Sequence, residues 1–258
     1  MSAFRLKTVA GYLVRCSWNL IFPFWIKANS DYTPPLMNLN NNNSILKFWS
    51  GQVIHLVGLA VLLALLLLAW AILEKPFFAA FWIAVAIPVL HQVFVWIAWR
   101  SELRSSMISK TIRFRGYLTV FFVLFVGRFL SLGALAYLDR GSLGLGTVPV
   151  FLLTGALMVP SAYAIYSVHK YFGLARAAGA DHFENRYRTM PLVKKGIFRF
   201  TENGMYIYAF LSFWAIAIGF NSSAALIVAA FSHAYIWVHY FATEKPDMDH
   251  LYASEDTN

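Results

Sequence analysis

The sequence is poor in charge and almost free of cysteine. Only 13% of its 258 residues are charged, against the roughly 25% of an ordinary soluble domain. The single Cys16 excludes an intrachain disulfide and a cysteine-rich metal site. No HExxH or GxSxG motif occurs, so the familiar zinc-protease and serine-hydrolase patterns are missing. His233 and His239 are six residues apart, about 600° around a helix at 100° per residue, and face different directions. No metal site is expected. Gly141-Ser142-Leu143-Gly144-Leu145-Gly146 looks like a phosphate loop, but no strand precedes it, and it is expected to be a flexible turn.

Long apolar runs are what the chain does have, and 59% of it is hydrophobic. Runs at 51–73, 77–98, 117–138, 148–168, 204–219 and 222–240 approach the roughly 20 residues needed to cross a bilayer as a helix. Open strands cannot span lipid, and no alternating segments suggest a barrel. The expected fold is all-α: a polytopic transmembrane bundle of about six helices, the fifth of them short, closing on a C-terminal helical hairpin. Its expected parts are an N-terminal interfacial helix (residues 4–26) and connector within 1–50, four membrane helices in 51–168, and a linker, hairpin and tail in 169–258.

Charge orients the bundle. Residues 1–50 hold Arg5, Lys7, Arg15, Lys27 and Lys47 against Asp31. The loop after the second helix holds Arg100, Arg104, Lys110, Arg113 and Arg115 against Glu102. The linker 169–203 has seven basic residues against Asp181, Glu184 and Glu202, so each of the three is net +4. The alternate connections, with Glu74-Lys75 and Asp139-Arg140, are neutral. The positive-inside rule puts the basic loops and both termini in the cytoplasm, of a bacterial inner membrane or of the endoplasmic reticulum. Anionic lipid headgroups account for a net charge of +9 without any nucleic acid. Arg128 lies inside the third run and calls for a partner: Glu102, Asp139 or a substrate.

The last third also carries a pattern of polar residues. Lys170-Tyr171-Phe172-Gly173-Leu174, Asn203-Gly204-Met205-Tyr206, and Glu244-Lys245-Pro246 with Leu251-Tyr252 follow one another around the hairpin. In order and spacing they resemble the integral-membrane phosphatidylethanolamine N-methyltransferases, a group that includes the isoprenylcysteine carboxyl methyltransferases. The resemblance covers roughly residues 165–252. It departs from the family pattern at Gly204, which replaces a proline, at Lys245, which replaces a second acidic residue, and at Glu202, which stands where many relatives carry arginine.

The resemblance implies a methyltransferase that takes S-adenosylmethionine on the cytoplasmic side and acts on a membrane phospholipid amine. By position, Glu244 would hold the cofactor's amino group. Tyr206, Arg199, Gly196, Tyr171 and Gly173 would complete its site, and Asn203, in the same element as Tyr206, would be a catalytic residue with His239. His239 is the candidate base for the amine, and His169 the second choice. Blander roles stay open: Glu244 as a solvated helix-end charge, His239 as a structural histidine, Arg199 as a lipid-phosphate contact. Carboxyl methylation of an isoprenylated cysteine is the alternative reaction. A transporter or a non-catalytic membrane protein is the alternative class, though a transporter would concentrate its polarity near the bilayer midplane.

Overall fold

The computed structural model describes residues 48–252. The expected interfacial helix and connector lie outside the described residues. Seven main helices follow in order: α1 Gln52–Ile72, α2 Phe78–Ser105, α3 Arg113–Leu138, α4 Thr147–Ser167, α5 Leu211–Gly219, α6 Ser223–His239 and α7 Lys245–Tyr252. Single π-helical turns, Val168–Phe172, Met205–Ala209 and Tyr240–Glu244, extend α4, precede α5 and join α6 to α7.

Five helical runs are long and apolar enough to cross a membrane: α1, α2, α3, α4 with its π turn, and the continuous run Ser223–Tyr252. Met205–Gly219 is apolar but shorter, as its 16-residue hydrophobic run requires. Large side chains such as Val53, Leu68, Val123, Leu130, Phe151 and Val159 point outward, as in a bundle solvated by lipid.

Helix α6 is central and packs on α1, α2, α3 and α5. Its Ala224, Ala225 and Ala229 are fully buried, and such small residues let neighbouring backbones approach where no hydrophobic effect drives association. Around them pack Leu135, Val228 and Tyr235, and Trp70 stacks on Phe81 at 4.5 Å. On α1, a side chain at Gly58 would meet Val238 at 2.8 Å.

One end of the bundle is closed by polar contacts. Asp139 Oδ2 accepts from Ser142 Oγ and Ser222 Oγ, both at 2.7 Å, and from the backbone N–H of Ala224 at 2.8 Å. Ser222 also caps α6 by accepting from Ala225 N–H at 3.0 Å. A carboxylate at a helix N-terminus is favoured by the helix dipole. Asn221, at φ 57, binds the Leu145 backbone through both ends of its amide, at 2.9 and 3.1 Å. The glycine-rich stretch, expected to be a flexible turn, is therefore tied to the hairpin tip.

Two helix limits differ from expectation. Helix α2 runs on past Ala98 to Ser105, because Trp99, Arg100 and Glu102 are buried against other elements and do not open into a loop. The final run continues past Tyr240 through Pro246. The π turn shifts the backbone register ahead of Pro246, near the helix start where its missing N–H matters least. The Ala242 carbonyl instead receives Gln52 Nε2 at 3.4 Å. Arg128 pairs with neither expected carboxylate. Asp139 is engaged as described, and Glu102 accepts from Ser109 N–H and Oγ at 2.9 and 2.5 Å.

Candidate functional site

The three π turns each carry one of the expected site residues: Tyr171, Tyr206 and Glu244. A π turn adds a residue to a helical turn, redirects the side chains around it, and is common at functional sites. Here the second and third turns face each other, and the Tyr206 hydroxyl donates a hydrogen bond to the Glu244 carboxylate. Glu244 is half-buried.

Aromatic rings surround this pair. Tyr206 lies 5.6 Å from Tyr240 and 5.8 Å from Trp237, ring to ring, and Trp237 stacks on Phe241 at 6.0 Å. The Asn203 amide approaches the Tyr240 hydroxyl. The Asn203 carbonyl accepts the N–H groups of Tyr206 and Ile207, both at 3.0 Å, and so starts the turn. A carboxylate beside π faces is a setting for cations, by charge-assisted hydrogen bonding and by cation–π contact. Both the ammonium and the sulfonium of S-adenosylmethionine fit that donor set.

The remaining expected residues form a second group on the linker. Gly196, at φ +62, lets the turn Gly196–Arg199 press onto the end of α4: a Cβ there would meet Ser167 Oγ at 2.5 Å and Tyr171 at 2.9 Å. Ser167 Oγ accepts the Ile197 N–H at 3.0 Å while donating to the Tyr163 carbonyl at 2.7 Å. Gly173, at φ +92, ends the first π turn in open space. Arg199 is exposed and lines a groove of about 560 Å³ with Phe172, Phe198 and Glu202. Ile197, Phe198 and Met205 pack together, so this group abuts the start of the second π turn.

His239 is buried deeper. Its ring neighbours are His55 at 5.6 Å and Trp99 at 5.8 Å, and among the described residues neither ring nitrogen has a hydrogen-bond partner. Its ring faces these two and not the rings around the Tyr206–Glu244 pair. His169 is exposed.

A buried ionic cluster beside the site went unread in the sequence. Arg100 Nε lies 2.7 Å from Asp247 Oδ1, and His182 Nε2 lies 3.2 Å from Oδ2, with all three side chains essentially inaccessible. His182 stacks on Trp99 at 4.0 Å, and Trp99 Nε1–H donates to the Tyr117 hydroxyl at 2.8 Å. That hydroxyl in turn donates to the Ala178 carbonyl at 2.7 Å. Next to it, Asp181 accepts from the Tyr252 hydroxyl at 2.9 Å and faces Arg176 at 3.7 Å. Burial pushes the Asp181 carboxyl above its ordinary pKa, against the pull of Tyr252 and Arg176. The cluster fixes the linker 173–184 and α7 to the end of α2. Two signals were present: an Asp-His pair in a basic linker, and Asp247 one helical turn after Glu244.

The segment that builds this site, from α4 to the end of α7, is similar to a known family. Residues 150–255 match the model of the phospholipid methyltransferase family. The match takes in Tyr171, Gly173, Gly196, Arg199, Asn203, Tyr206, His239 and Glu244, and it agrees with the resemblance read from the motifs. Helices α1 to α3 lie before it. Neither a curated protein nor a solved structure matches the chain.

Proposed function

We propose that the protein transfers a methyl group from S-adenosylmethionine to the amine of a membrane phospholipid, phosphatidylethanolamine or its methylated forms. The observation that carries the reading is the Tyr206–Glu244 hydrogen bond within the ring of Tyr240 and Trp237, inside the segment that matches the family. S-adenosylmethionine supplies an electrophilic methyl group on a cationic sulfonium.

The chain's own residues bind, align and exclude water. Glu244, oriented by Tyr206, holds the ammonium end, and the rings of Tyr206, Tyr240 and Trp237 face positive charge. Methyl transfer to an amine is a displacement, so alignment and desolvation supply most of the acceleration. The amine must be neutral to attack. His239 is the candidate acceptor of its proton, and its two unengaged ring nitrogens leave it free to take one. The outward apolar faces of α3 and α4 suit a lipid that enters sideways, its chains never leaving hydrocarbon.

The direct test is incubation of purified protein with methyl-labelled S-adenosylmethionine and phosphatidylethanolamine, with mass analysis of the lipid. Label on the headgroup nitrogen is the expected product. Label on a farnesylcysteine carboxyl instead would transfer the assignment to carboxyl methylation, and no label on either would remove it.

A further inference from the structure

Arg128 is a cation inside the bundle, and no carboxylate among the described residues pairs with it. It is 4% exposed and sits ten residues before the end of α3, about 15 Å inside the bundle at 1.5 Å per residue. A guanidinium in a protein does not give up its proton. Among the described residues, its Nε and Nη2 have no hydrogen-bond partner.

Its neighbours are aromatic or neutral. The guanidinium carbon lies 5.1 Å from the centre of Phe210 and 5.3 Å from that of Phe213. Cation–π contact with two faces offsets part of the desolvation cost but leaves the N–H groups unsatisfied. His91, His239 and Tyr235 are its electrostatic neighbours. His91 is buried edge-on against Phe121 at 4.6 Å, with neither ring nitrogen hydrogen-bonded among the described residues. The Tyr235 hydroxyl is taken by His55 Nε2 at 2.9 Å, while His55 Nδ1 lies 2.9 Å from Gln52 Oε1. Unused donor capacity and positive charge thus converge at one place, and no anion of the described chain answers them.

That place adjoins the candidate active site. Phe210 stands between the two, its ring 6.5 Å from that of Tyr206 and 5.1 Å from the Arg128 guanidinium carbon. It follows Tyr206 by four residues, so Arg128 lies about one helical turn deeper than Tyr206. We infer that Arg128 is the binding site for the phosphate of the lipid substrate. The inference rests on the proposed phospholipid reaction. A guanidinium fork matches the oxygens of a phosphodiester, which keeps its charge at neutral pH. In an aminoethyl phospholipid the amine is two carbons from the phosphate. A phosphate held at Arg128 therefore turns the amine toward Tyr206 and Glu244 and leaves the acyl chains in the membrane. Arg128 lies outside residues 150–255, so headgroup selection would be a task of the preceding helices.

Binding tests this without any reaction. The purified full chain in dodecyl maltoside is titrated with dioleoyl phosphatidylethanolamine or with oleylamine, which keeps the amine and one chain but lacks the phosphate. Thermal unfolding reports binding, and S-adenosylmethionine is omitted. The wild type should bind the phospholipid at least tenfold more tightly than the amine. Arg128→Gln should abolish that preference while its calorimetric affinity for S-adenosylmethionine stays within twofold of wild type. Arg128→Lys keeps the charge and loses the fork. It should lose part of the preference, and it serves as the test if the Gln variant does not fold. A phospholipid preference undiminished in both variants overturns the inference. So does a selective loss of S-adenosylmethionine affinity, which would assign Arg128 to the cofactor carboxylate. A wild type that prefers the phospholipid through Arg128 yet transfers no methyl group would sink the proposed reaction and leave the phosphate site standing.

Discussion

The Tyr206 hydroxyl and the Glu244 carboxylate, 38 residues apart, are joined by a hydrogen bond that bridges two π turns. The contact fixes the carboxylate's direction, since Tyr206 is itself held against Tyr240 and Trp237. Glu244→Gln should therefore weaken S-adenosylmethionine binding about ten- to a hundredfold, the loss of one charge-assisted contact worth about 1.5–3 kcal/mol. Tyr206→Phe should cost less, and the double variant less than the sum, because both act through one carboxylate. Calorimetry on the folded variants measures this. Additive losses would mean that Tyr206 and Glu244 hold different parts of the ligand.

The limits of α1, α3 and α4 were readable to within a few residues, because the bilayer sets the length of an apolar run directly. Arg100 and Glu102 misled the reading of α2. A charge after a membrane run looks like a loop, and only the distant Asp247 and the short helix at Ser109 explain why these two are buried. The π turns left no mark in composition, since a one-residue shift in hydrogen-bond register changes no residue type. The proximity of Tyr206 to Glu244 was expected only through the family resemblance. The surroundings of Arg128 and His239 depend on five helices meeting, which no local pattern encodes.

The Asp247 carboxylate faces Arg100 on one oxygen and His182 on the other, all inaccessible to solvent. Removing one partner of such a cluster typically costs about 3–5 kcal/mol, because the charge left behind stays buried. Asp247→Ala should lower the unfolding temperature sharply and loosen the linker 173–184. The double variant Asp247→Leu/Arg100→Met should recover much of the loss. Thermal unfolding in detergent, with proteolysis of the linker as a local readout, distinguishes the two. A double variant as unstable as the single one would show that the cluster's value lies in its geometry, not in mutual neutralisation.

Gly196 and Gly173 both have positive φ, but only Gly196 is crowded. Gly173→Ala meets open space and should cost about 1 kcal/mol, the backbone penalty alone. Gly196→Ala adds a collision with Ser167 Oγ and Tyr171, and should cost clearly more by releasing the Gly196–Arg199 turn from α4. Unfolding midpoints of the two variants give the comparison directly. Equal losses would deny the turn its packing role.

Topology follows from which loops share an end of the bundle. Gly51 abuts the Ala242 carbonyl, where a Cβ would collide with its oxygen, and Asp247 joins Arg100 to His182. The start of α1, the end of α2, the linker and the start of α7 therefore lie together. The connection 139–146 meets the hairpin tip at Asn221 and Ser222, at the other end of α3 and α6. The first group carries the basic loops and the second is neutral, so the positive-inside rule predicts a cytoplasmic linker and candidate site. In a Cys16→Ser background, Asn185→Cys and Thr147→Cys place single thiols at exposed positions on opposite ends. An impermeant maleimide applied to intact cells or sealed microsomes should reach only one of the two. The Asn185→Cys thiol should react from the cytoplasmic side, where S-adenosylmethionine is made. Labelling of both from one side would break the bundle's alternation. Labelling of Asn185→Cys from the outside alone would keep the fold, invert the orientation, and leave the proposed reaction without access to its methyl donor.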